Sequence, residues 1–145
     1  TRNHSSAASD VYKRQKHTDL QFYVALRYDY LRFGIYTKNE NKSQNIFNEI
    51  YRKINNKKNQ FLEMIDDLES EGILITTKIS NEESGKPKPL VLRRDFPADT
   101  IYQDGTFNVM TAIPIEELPN INVGDSVVDA FMKILPLYRF VLSLD

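Results

Sequence analysis

The chain has 145 residues, with no cysteine, two histidines, and 19 basic against 20 acidic residues. That supply excludes a disulfide framework, a thiolate metal site and a cysteine nucleophile, and it leaves too few histidines for a Ser-His-Asp triad or a multi-histidine metal centre. A net charge of −1 argues against the strongly basic balance of a protein that coats DNA or an anionic membrane.

The segment "SSAASDVYKRQ", Ser5 to Gln15, resembles the conceptual translation of a sequencing adapter. Residues 1–15 are therefore expected to be an adapter-derived or disordered tail that adds nothing to a core. They hold Arg2, Lys13 and Arg14 against Asp10 alone, so the remainder is more acidic than the whole. Residues 16–145 have the size of a single domain with one core, open to being a fragment of a longer protein. No apolar run approaches the ~20 residues that span a bilayer, and no signal-peptide pattern is visible. A cytoplasmic protein without membrane contact is the expectation.

From Leu20 to Tyr28 the chain alternates, with Leu20, Phe22, Val24, Leu26 and Tyr28 on one face and Gln21, Tyr23, Ala25 and Arg27 on the other. Leu31, Phe33 and Ile35 alternate in the same way against Arg32, Gly34 and Tyr36. Period two with aromatic and β-branched residues predicts two strands, joined in a tight antiparallel hairpin at Asp29–Tyr30. The phenylalanine and aliphatic face is expected inward, which leaves Tyr23, Arg27, Arg32 and Tyr36 outward. Beyond the polar Lys38–Lys42, Ile46, Ile50, Ile54, Phe61, Ile65 and Leu68 recur at helical spacing. One helix is expected from Ser43 to Glu71, with Asn41 or Ser43 as N-cap, Gly72 as the stop, and the polar Asn55–Gln60 as a kink or short break.

"ILITTKI", Ile73 to Ile79, and "LVLRRDF", Leu90 to Phe96, predict strands on either side of a Pro- and Gly-containing loop, Ser80–Pro89. After the turn Tyr102–Gly105, Phe107 and Val109 oppose Asn108, Met110 and Ala112 in a further strand, Thr106–Ile113. A connector bracketed by Pro114 and Pro119 leads to a last helix, capped by Asn122 or Asp125, whose apolar face is Val127, Val128, Phe131, Ile134, Leu135 and Tyr138. Pro136 lacks a backbone donor and should kink or restart it. The order β-β-α-β-β-β-α predicts an α+β fold, a mainly antiparallel sheet with two helices packed on one face.

No phosphate-cradling glycine motif is present. Glu63, Asp66 and Asp67 share a helical neighbourhood that suits a hard cation, but the same residues suit a solvated outer face, and no E-x-K or D-x-K pair lies on a strand. No catalytic residue, metal ligand or cofactor is therefore assigned. Lys86, Lys88, Arg93 and Arg94 cluster around the loop and the strand after it, where they can neutralise phosphates or read guanine edges. Tyr23 and Tyr36, with Arg27 and Arg32, fit base stacking with phosphate contact, and equally fit half-buried strand tyrosines with wet hydroxyls.

"FGIYTKNENKSQNIFNEIYRKINNKK", Phe33 to Lys58, resembles the strand-then-helix of uncharacterised bacterial domains that accompany restriction and other defence genes. "GTFNVMTAIPIEELPNINVGDSVVDAFMKILPLYRFV", Gly105 to Val141, is similar in layout to the end of the N-terminal DNA-recognition domain of McrB-type restriction motors: a strand, a connector, then a helix ending near a tyrosine. The resemblance implies a non-catalytic recognition module of a restriction or defence-type protein, with a fused or separate motor or nuclease domain as partner. Its DNA contacts would be Tyr23, Arg27, Arg32, Tyr36, Lys86, Lys88, Arg93 and Arg94. The "F…LPLYRF" ending also resembles a widespread bacterial family with no assigned function. That likeness accompanies the alternative, a protein-interaction or structural domain without a nucleic-acid role. It would dock through exposed tyrosines and the last helix, with Phe140, Val141 and Leu142 as exposed apolar surface.

Overall fold

The computed structural model describes residues 20–27, 29–40, 43–76, 101 and 105–143. The alternating start forms two antiparallel strands, β1 (Gln21–Arg27) and β2 (Tyr30–Lys38), paired from Gln21 opposite Tyr36 to Arg27 opposite Tyr30. Tyr30 thus belongs to β2, and the hairpin closes one residue earlier than expected. The sheet is completed by β3 (Leu74–Ile75) and β4 (Thr106–Pro114), all antiparallel, in the order β1-β2-β4-β3. The antiparallel α+β class is the one expected. The strand expected at Leu90–Phe96, the end of the one expected at Ile73–Ile79, and the turn residues Tyr102–Asp104 lie outside the described residues.

Gly34 marks where β2 and β4 come closest. A Cβ there would stand 2.0 Å from the Val109 carbonyl oxygen and 2.6 Å from Met110 Cα. Both are backbone atoms that no rotamer change can move, so only glycine fits.

The apolar stripe from Ile46 to Leu68 forms two helices rather than one: α1 (Gln44–Asn56) and α2 (Lys58–Ser70). They part at Lys57, whose φ of −127° and ψ of 49° leave the helical region. Asn55 to Gln60 supplies no apolar side chain to hold that turn against the core, and Phe61 restores the contact fully buried. Lys57 N–H still donates to the Lys53 carbonyl, and Phe61 N–H to that of Lys57, so the bend sacrifices little backbone pairing. Ser43 stands at the N-cap position of α1, but its hydroxyl donates to the Lys38 carbonyl, tying the helix start to the end of β2 instead of capping it.

Gly72 stops α2 as expected. Its φ is +77°, Ile73 N–H donates to the Leu68 carbonyl and Gly72 N–H to that of Glu69. This is a Schellman arrangement, with Leu68 and Ile73 both buried.

A 3₁₀ segment, Ile115–Asn120, leads to α3 (Val123–Leu142), whose Asn122 cap accepts the Asp125 N–H at 3.0 Å. The helix does not restart at Pro136. That residue lies on the exposed side of the helix, so its ring and the backbone donor it lacks fall away from the core. One core joins the layers: Phe33, Ile35, Phe107 and Val109 from the sheet, Phe47, Ile50 and Ile54 from α1, Phe61 and Ile65 from α2, and Ala130, Ile134 and Leu137 from α3.

Candidate docking surface

Period two decides which residues share a face, but not which face meets water. The side of the sheet expected to be outward is largely enclosed. Arg32 retains only 4% of its surface, Asn108 6% and Met110 none, while Tyr23 and Tyr36 are half-buried. Of the four hairpin residues assigned to nucleic-acid contact, Arg27 alone is exposed, at the end of β1, and it forms no ion pair among the described residues. Lys86, Lys88, Arg93 and Arg94 lie outside the described residues.

Tyr23 organises this enclosed face. Its hydroxyl is 2.9 Å from Asn108 Oδ1 and 2.8 Å from Met110 Sδ, two acceptors for one proton, and its ring meets the edge of Tyr36 at 6.3 Å between centroids. Burial pushes the Tyr23 hydroxyl well above the ordinary tyrosine range, against the opposing pull of the Arg32 and Arg27 charges. A neutral phenol locked into such contacts is a packing element with a satisfied polar end.

The opposite face holds the correction to the expected core. Phe22 packs as expected, its ring centroid 4.9 Å from those of both Phe131 and Tyr138 on α3. Val24 and Leu26 share its side of β1, but they run past this contact and stand 52% and 65% exposed. On α3, Val128, one turn before Phe131, and Met132, next to it, are 61% and 63% exposed. Val128 was expected on the buried face of that helix. Phe22 and Phe131 are thus half-buried where β1 meets α3, whereas Val24 and Leu26 on the strand and Val128 and Met132 on the helix are exposed. The sequence signal was present in the uninterrupted alternation of β1, but periodicity carries no information about where a covering helix runs.

The end of α3 differs from the exposed apolar terminus that the interaction reading anticipated. Phe140 and Val141 are buried and Leu142 is half-buried. Lys53 Nζ stands 5.6 Å over the Phe140 ring, a cation–π contact. Ile46, Glu49, Arg52, Val141 and Ser143 border a groove of about 380 Å³ beside it, where Arg52 is already paired with Glu49. Glu63, Asp66 and Asp67 on α2 are exposed, and among the described residues no three His, Asp or Glu side chains stand close enough to share a metal ion. Also among the described residues, no helix is long and apolar enough to cross a membrane.

No protein-family model, curated protein or solved structure matches the chain.

Proposed function

We propose that the chain is a non-catalytic recognition module whose binding surface is the apolar seam of β1 and α3, directed at a protein. The observation that carries this reading is the exposure, above one half, of Val24, Leu26, Val128 and Met132 beside a single aromatic contact. Isolated apolar side chains on a surface are ordinary, whereas a group of them marks an interaction site, and these four lie on the two elements that meet at Phe22 and Phe131. Hydrogen-bonded strand backbone on one side and a helix on the other hold these side chains in place, so little ordering is lost on binding. The test is a photo-reactive benzophenone residue at position 132, with position 59 on the solvent side of α2 as control. Irradiation in the expressing cell is expected to give a covalent protein adduct from position 132 alone. No adduct above the control would overturn the reading.

A second reading, DNA recognition, is favoured by Arg27, exposed and in no ion pair among the described residues, by the four basic residues from Lys86 to Arg94, and by the resemblance in sequence layout to McrB-type recognition domains. Phosphate contacts release counterions, so such binding would weaken by orders of magnitude between roughly 50 and 200 mM salt. Anisotropy of a labelled duplex that stays flat over that range, or that ignores joint charge reversal of Arg93 and Arg94, would remove it.

A further inference from the structure

We propose that the partner at this seam is a second copy of the chain, with the two β1 strands pairing edge to edge about a twofold axis at Val24. The inference rests on the protein-docking reading and names its occupant. In the described sheet β1 pairs with β2 on one side only. An outer strand usually carries a lysine, a proline or an inward charge that discourages further pairing. Gln21 to Leu26 has none, and Arg27 enters only at the last position.

The register follows from symmetry. A seven-residue strand facing its own antiparallel copy pairs along its full length only when centred on its fourth residue, which is Val24. Leu26 then stands opposite Phe22, Tyr23 opposite Ala25, and Arg27 opposite the uncharged Gln21. The two arginines lie at opposite ends, about 20 Å apart at ~3.4 Å per residue and beyond the ~8 Å screening length at physiological salt. Because opposed residues in an antiparallel pair share a face, the Val24 and Leu26 rows of both copies merge on the α3 side. The helix α3 reaches that row where Phe131 and Tyr138 meet Phe22. The contact is isologous, so each apolar group meets apolar surface and the assembly is closed at two.

The absence of cysteine makes the test direct. Val24→Cys puts each sulfur opposite its own symmetry mate, with Cβ atoms ~5 Å apart, within reach of a disulfide after small adjustment. Gln21→Cys puts its mates near opposite ends of the paired strands. Under mild oxidation, Val24→Cys is expected to give a covalent dimer as the main species and Gln21→Cys only traces. The unmodified chain is expected to double in mass as concentration rises in sedimentation experiments. Val24→Lys should hold it monomeric with an unchanged far-ultraviolet circular dichroism spectrum, since that side chain is already half exposed. A monomer at every concentration, or equal cross-linking of both cysteine variants, would overturn the second-copy proposal. If position 132 still captured a different protein, the docking reading would stand without it; if it captured nothing, both would fall.

Discussion

The two faces of the sheet bury their residues by different chemistry. Toward the helices, Phe33, Ile35, Phe107 and Val109 interlock with aliphatic and phenylalanine side chains, and shape complementarity is the whole of the interaction. On the other side, Tyr23, Arg32, Asn108 and Met110 are enclosed as well, but through a tyrosine hydroxyl, an amide and a guanidinium that must keep polar contacts. The contrast shows that polarity in alternate strand positions separates the faces without saying that the polar one is wet.

The sharpest way to break this contrast is to remove volume from the helix side. Phe107→Ala is expected to cost about 3–5 kcal/mol, the range for a fully buried phenylalanine, read as the midpoint shift in urea at unchanged slope. A smaller effect would mean that the face collapses around the void. Next comes Gly34, where the polar face meets β4 most closely. Gly34→Ala should destabilise by about 3 kcal/mol, at the upper end of overpacking effects, because the clash is with backbone. A near-neutral result would show that β2 and β4 separate freely.

The mildest probe is Tyr23→Phe, which keeps the ring and removes the hydroxyl. Leaving Asn108 short of one partner should cost about 1–2 kcal/mol at neutral pH. Its pH dependence distinguishes a buried phenol from an exposed one. The fold holds the Tyr23 proton more tightly than the unfolded chain does, so this contribution is complete below pH ~10, the ordinary tyrosine value, and is lost as pH rises beyond it. Melting temperature should therefore fall more steeply above pH ~10 in the unaltered chain than in Tyr23→Phe. Parallel curves would mean that the hydroxyl is open to solvent.

Local pattern was enough for much of this fold. Alternation located β1, β2 and β4, with Phe107 and Val109 on the core side, and Gly72 marked the end of α2 because the left-handed turn there suits glycine. The break at Lys57 was visible as a gap in the apolar stripe, but one helix and two helices in series share the same periodicity. The candidate surface was legible only in part. Tyr23 and Arg32 read as outward because their neighbours in sequence are apolar, and their enclosure depends on tertiary placement that no local period encodes. Val24 and Val128 read as core for the converse reason, since both sit in good apolar patterns beyond the reach of the elements packed against them.

The break at Lys57 divides one apolar stripe between two helices of 13 residues each. Phe47, Ile50 and Ile54 belong to the first and Phe61, Ile65 and Leu68 to the second. A change of direction between the two buried rows therefore needs no distortion inside either helix, since the single non-helical residue absorbs it.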